Sequence, residues 1–369
     1  MRPFALTVAL LLALTLAVNG LAAWDRSRQE ARLRAASAGF RAGQVMLGYR
    51  DVDERRFQQA RLESLPRPRL VAFGSSRVMA VSHALTGAGE GDFYNAGMSA
   101  ATVEDFIALW SILERRGKRP EIAWFSLDGW VFNRTLEEIR WLVWADEVSS
   151  FLARAEVGRA LGGPPPGAVL LWYRAKELLS YTVLRTSLTD LRRLAGGRRR
   201  PGAEVAQALE RALVPESELG GRRGLRADGS LVYEVEYQRL APERTHEEAV
   251  RYVTAGRTGL EGFRWNAERA ARLEVLWGEM RVAGVRVVAW LPPYHPEAWR
   301  LLQGDPQRAA ALAAVRRFLE GAAARTGAHF RDFSDPASLG CDAVDFYDAV
   351  HARPACLRRL LERVGAALG

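Results

Sequence analysis

Five short candidate strands, the longest of them apolar runs closed by Gly or Pro, constrain this chain more than any other feature in it. Residues 70–73 stop at Gly74, 92–95 end in Ala96-Gly97, and 122–127 end at Asp128-Gly129. Residues 285–291 are stopped by Pro292-Pro293, and His329-Phe330-Arg331-Asp332-Phe333 reads as the fifth strand. Helical patterns over 101–116, about 265–283 and about 307–326 lie between them, the first with Ile107, Leu109, Trp110, Ile112 and Leu113 as its apolar face. Apolar runs this short, bounded by Gly and Pro, are strands, and strands alternating with helices build an α/β fold around a parallel, doubly wound sheet. Open sheets of that kind bind ligands beyond the carboxyl ends of their strands. The residues just after each run are therefore the candidates for function.

Composition narrows the class. With 369 residues, 49% hydrophobic and 26% charged, the chain is an ordinary globular protein with room for a large core. The formal net charge of +9 is nearly all arginine and favours an anionic surface such as lipid headgroups or an acidic polymer. Nucleic acid is not expected, because no zinc pattern, RNA-binding signature or basic zipper occurs. No His-Glu-x-x-His occurs, and His83, His246 and His329 have no ligand spacing, so no metal or other cofactor is expected.

The first residues point to export. Arg2 precedes an apolar run from Phe4 to Trp24, interrupted only by Thr7, Thr15, Asn19 and Gly20. About 20 apolar residues span a bilayer as a helix, so 1–24 reads as an uncleaved transmembrane signal anchor. Gly20-Leu21-Ala22 and Leu21-Ala22-Ala23 are weak cleavage sites for the alternative, a signal peptide. Residues 25–66 read as a charged, helical juxtamembrane stalk closed by Pro66, and 67–369 as one domain. On the exported side Cys341 and Cys356 are expected to pair; closing a loop of about 15 residues stabilises by roughly 3 kcal/mol.

The third and fourth strands are separated by about 150 residues, far beyond the dozen a crossover needs. The excess, about 134–263, reads as a helical insertion with helices near 136–160 and 169–194. Gly/Arg-rich breaks lie at 196–202 and 220–224, and a hairpin turns around Asp228-Gly229-Ser230.

The chemistry gathers at strand ends. Gly74-Ser75-Ser76-Arg77 reads as a sharp strand-to-helix turn that carries two hydroxyls to the sheet edge. Asp348 and His351 stand three apart before a final amphipathic helix at about 355–368, so a carboxylate can hold Nδ1–H of the imidazole while Nε2 faces a hydroxyl. Ser99, in Gly97-Met98-Ser99-Ala100-Ala101, is a near miss to Gly-x-Ser-x-Gly and the weaker nucleophile. His295 follows the fourth strand as a candidate substrate contact, and Arg77 as a cation for an anionic or sugar substrate. Trp124, Trp130 and Trp290 read as packing rather than as sugar platforms.

These residues resemble the SGNH (GDSL-like) hydrolases. Phe73-Gly74-Ser75-Ser76-Arg77 is similar to their first block, with Ser76 as nucleophile and Ser75 where Asp usually stands. Asn95-Ala96-Gly97-Met98-Ser99 is similar to the second block, and Asp348-Ala349-Val350-His351 to the last. The membrane-anchored, DltD-like branch is the most similar. The resemblance spans roughly 69–133 and 265–369, not the insertion. It implies a three-layer α/β/α, flavodoxin-like domain with Ser76, His351 and Asp348 as a triad and the N–H groups of Ser76 and Gly97 in the oxyanion hole. The family's third block, Gly-x-Asn-Asp, is not matched here; Asn133 is the nearest side-chain donor.

The function so implied is a serine acyl-ester enzyme at the outer face of the cytoplasmic membrane. It would act as O-acyltransferase or esterase on a cell-envelope polysaccharide or other glycopolymer, with a polytopic membrane acyltransferase as donor partner. The alternative is a non-catalytic SGNH-fold module for binding or assembly in the envelope.

Overall fold

The computed structural model describes residues 37–48, 53–154 and 213–366, with isolated positions between 13 and 34. The main sheet has five parallel strands: β2 (Leu70–Gly74), β3 (Phe93–Asn95), β4 (Ile122–Ser126), β8 (Arg286–Leu291) and β9 (His329–Asp332). They lie in the order β3-β2-β4-β8-β9, the doubly wound 2-1-3-4-5 arrangement. The chain leaves β2 toward β3 and returns on the other side to β4, so the switch point lies between the carboxyl ends of β2 and β4.

Alternate residues of these strands serve opposite faces, as the pleat requires. Val71, Phe73, Ala123, Phe125, Val287 and Ala289 pack in one core with α2 (Val103–Arg115), α5 (Ala267–Val282) and α7 (Pro306–Thr326). There Phe73 and Phe125 stack at 4.9 Å, and Phe106 meets both edge-on. Leu70, Ala72, Ile122, Trp124, Val288 and Trp290 face the other way, against Leu357, Leu360, Leu361 and Val364 of α8 (Pro354–Gly365). Helices thus cover both faces, and strands buried on both sides read as continuous apolar runs.

Residues 37–48 and 53–66 are not a free stalk. Gln44–Leu47 is strand β1, and α1 (Glu54–Ser64), capped by Asp53, lies on α2. Arg55 of α1 pairs with the wholly buried Asp105 at 2.8 Å, and Gln58 donates to the Gly97 carbonyl at 3.1 Å. The anchor expected at 1–24 and the stalk's first residues fall almost entirely outside the described residues. Among the described residues no helix is long and apolar enough to cross a membrane.

The insertion is not wholly helical either. It contains α3 (Ala145–Arg154), β5 (Leu213–Pro215), β6 (Gly224–Arg226), β7 (Leu231–Val232) and α4 (Pro242–Thr254); α6 (Pro296–Gly304) follows β8. Strands β5, β1, β6 and β7 form a second, antiparallel sheet in that order. Its core joins Phe40, Met46 and Phe57 to Leu225, Leu231, Tyr233 and Tyr347. The β6–β7 hairpin turns at 227–230, where expected, and its tip is fastened to the main sheet. Asn95 N–H donates to the Asp228 carbonyl at 2.7 Å, and Leu231 N–H to Met79 at 2.6 Å. Gly229, at φ 81°, lies so close to β3 that a Cβ would come within 2.1 Å of the Asn95 carbonyl oxygen. The expected helix over 169–194 and the Gly/Arg break at 196–202 lie outside the described residues.

Candidate active site

Strand β2 ends at Gly74, where a Cβ would stand 2.8 Å from the Ser126 carbonyl of β4. Only a glycine lets the chain turn that tightly against its neighbour. No regular helix follows: residues 75–80 form consecutive turns, with Val78 N–H on the Ser75 carbonyl and Met79 N–H on that of Ser76. The expected helix N-terminus beside the serines is therefore absent. Ser75 is buried and its Oγ accepts the Arg77 N–H at 3.3 Å, within its own turn. Ser76, half-buried, is the serine that meets the histidine.

Ser76 Oγ lies 2.9 Å from His351 Nε2, and His351 Nδ1 lies 2.8 Å from Asp348 Oδ2. A carboxylate facing Nδ1 keeps the proton on that nitrogen, leaving Nε2 to accept from the serine hydroxyl. The other carboxylate oxygen, Asp348 Oδ1, accepts the N–H groups of Val350 and His351 at 2.8 Å each. This short loop turns back on itself, so the three-residue spacing puts acid and base side by side. Burial pushes the Asp348 carboxyl up, but the His351 charge, the hydrogen bonds from His351 and Tyr237 and the Val350 N–H outweigh it and hold the group well below the usual carboxylate range. It stays ionised at any physiological pH.

A fourth member comes from the insertion. The Tyr237 hydroxyl donates to Asp348 Oδ2 at 2.6 Å and lies 3.4 Å from His351 Nδ1. Burial and the adjacent Asp348 raise its pKa, which keeps the proton on the phenol. Its ring packs with Tyr233 and Tyr347 at 5.0 and 5.3 Å, and Tyr233 in turn meets the imidazole edge-on. Nothing local in the sequence marks Tyr237, whose partner lies in a segment far along the chain.

Arg77 is not free for a substrate. It is buried, pairs with Asp128 at 3.0 Å across the switch point, and donates to the carbonyls of Pro292, Pro293 and Val350. Its guanidinium also lies 4.3 Å from the Tyr294 ring. Burial pulls its pKa down, but the Asp128 carboxylate together with Tyr294 and Tyr252 outweighs that and raises it. One side chain thus ties the serine turn, the end of β4, the end of β8 and the His351 loop together.

Two expected oxyanion donors are also committed elsewhere. Gly97 N–H donates to Asn95 Oδ1 at 2.9 Å. Asn133 is fully buried; its Nδ2 donates to the Gly259 and Glu261 carbonyls while its Oδ1 accepts from Thr135 and Arg264. It fastens the insertion and does not reach back to the serine. Among the described residues no backbone carbonyl accepts the Ser76 N–H. Ser99 is held by Glu54, through its hydroxyl at 2.9 Å and its N–H at 2.7 Å, away from the histidine.

His295, expected as a substrate contact in a loop, is 1% exposed. It caps α6: Nδ1 accepts the Glu297 N–H at 3.1 Å, and its own N–H donates to the Ala349 carbonyl. Burial, then the neighbouring His246, push it down to about 4. It is a neutral cap that braces the His351 loop. Cys341 and Cys356 are joined as a disulfide and close the segment that carries Asp348 and His351. Compared with protein-family models and with curated proteins, the chain matches none.

Proposed function

We propose that this protein is an SGNH-type serine acyl-ester enzyme, an O-acyltransferase or esterase, held at the outer face of the cytoplasmic membrane by residues 1–24. The observation that carries the reading is the unbroken chain from Ser76 Oγ through His351 to Asp348, at 2.9 and 2.8 Å. Ser76 Oγ attacks an ester carbonyl as His351 Nε2 takes its proton; Asp348 holds the imidazolium by charge and hydrogen bond. The oxyanion forms beside the Ser76 N–H. Collapse expels the donor's alkoxide, which takes the proton from His351, and leaves acyl-Ser76. A sugar hydroxyl or water then gives its proton to His351 and attacks that ester, regenerating Ser76. The resemblance in the first, second and last blocks supports a glycopolymer of the cell envelope as the acyl acceptor or donor, with a polytopic membrane acyltransferase as partner.

The experiment is labelling with a fluorophosphonate probe. We expect wild-type protein to label, Ser76→Ala to lose labelling entirely, and Ser99→Ala to keep it. A folded wild type that does not label would overturn the reading. A second reading, a non-catalytic envelope module, is favoured by one observation: the Gly97 N–H and Asn133 side chain are both engaged elsewhere.

A further inference from the structure

The triad accounts for one end of the β2–β4 switch point, and a groove of about 460 Å³ at the same sheet edge is left over. Its inner wall is Ala100, after β3, and Trp130, two residues past the Asp128 that grips Arg77. Its outer wall comes from the insertion: Tyr252 of α4 and the loop 256–261. That loop is pressed onto the inner wall, since a Cβ at Gly259 would stand 2.6 Å from Trp130 Cβ, and Asn133 holds the Gly259 and Glu261 carbonyls. Ala100 has φ 47°, the one positive value among described non-glycine residues. Strain of this kind costs about 1–3 kcal/mol and gathers at ligand sites.

Tyr252 lines the groove and feels the charges of Arg77, Asp128 and Asp348. Burial, with Tyr294, Asp128 and Asp348 acting against Arg77, raises its pKa, so the phenol keeps its proton and can donate. The charges of the wall cancel. Glu138 pairs with Arg140 at 2.6 Å and Glu261 with Arg308 at 3.3 Å, leaving Glu137 and Arg257, one of each sign. A polyanion needs an excess of cations, which this groove lacks despite the chain's net +9. A fatty acyl chain would take Glu137 and Arg257 out of water while offering neither a hydrogen bond. A neutral pyranose fits both characters: C–H faces for the aromatic rings, and a rim of hydroxyls for paired carboxylates, guanidinium and phenol.

We propose that this groove is a binding subsite for neutral hexopyranose units of a glycopolymer, seated against Trp130 and Tyr252 beyond the carboxyl ends of β3 and β4. This rests on the acyl-ester reading, and it makes Trp130 a sugar contact rather than packing alone.

The test is calorimetric titration of full-length Ser76→Ala protein with neutral gluco-, galacto- and manno-configured tetrasaccharides and with a polyuronate tetramer. We expect at least one neutral tetrasaccharide to bind and the polyuronate not to. Adding Trp130→Ala should weaken binding about tenfold, equivalent to ~1.4 kcal/mol, while Trp130→Phe, which keeps a ring in the groove, should retain most of the affinity. Absence of binding by every neutral sugar, tighter binding of the polyuronate, or equal affinity in Trp130→Ala would each overturn the proposal. Fluorophosphonate labelling of the wild type is read separately: labelling without sugar binding removes the subsite alone. Sugar binding without labelling removes the enzyme and leaves the groove.

Discussion

Tyr237 is the residue whose removal says most about the triad. Its hydroxyl spreads the negative charge of Asp348 Oδ2. In Tyr237→Phe the carboxylate loses that donor, and its hold on the imidazole ring loosens. The rate of fluorophosphonate labelling should fall by roughly tenfold, since a hydrogen bond to a charged group contributes about 1.5–3 kcal/mol. An unchanged rate would mean that Tyr237 only packs. Arg77 poses the opposite case, a stabilising residue that looks functional from its place beside Ser76. Arg77→Met leaves Asp128 buried without its counter-ion and should cost about 3–5 kcal/mol in urea unfolding. No sequence pattern separates such a cation from a substrate-binding one, because burial and four distant carbonyl and carboxylate partners decide it.

At the scale of elements, the strands were legible and their surroundings less so. Each expected strand of the main sheet lies within a residue or two of β2, β3, β4, β8 and β9; in β2, β4 and β8 two-sided burial writes itself as an apolar run, whereas β9 is a half-exposed edge. The four-residue β1 and three-residue β5 have only two or three apolar residues each; they exist because β1 pairs with β5 and β6, far along the chain, which no local window contains. The same holds at α6, whose cap is a buried histidine rather than an exposed contact. His295 is down to about 4 in the folded chain, against an unfolded value of ~6.5. Between those two pH values the unfolded state binds the extra proton, so stability is full above about 6.5 and falls as pH drops toward 4. The loss is at most ~3 kcal/mol. Its neighbours here are His246, Glu297 and Asp348. His295→Asn keeps a capping acceptor and removes the titration, so its melting temperature should fall less steeply over that interval than that of the wild type.

Across the whole molecule, the insertion is part of the machine, not an ornament upon it. It supplies Tyr237 to the acid of the triad, Tyr252 to the groove, and a hairpin that clamps the serine turn from Met79 to Asn95. Gly229→Ala, which forces a Cβ against the Asn95 carbonyl at a positive φ, should lift that hairpin. We expect slower labelling of Ser76, although the altered residue touches none of the triad, and faster limited proteolysis between β6 and β7. Equal rates for variant and wild type would mean that the two sheets are not coupled.

The pairing of β1 sets a timetable for the chain's own synthesis. Met46 must wait for Leu213 and Leu225 before its backbone is satisfied, and every part of β2, β3 and β4 has been made by then. Closing so long a loop is entropically costly and slow. A newly made chain therefore passes through an interval in which the main sheet has started to assemble while β1 is still an open edge, receptive to any other unpaired strand.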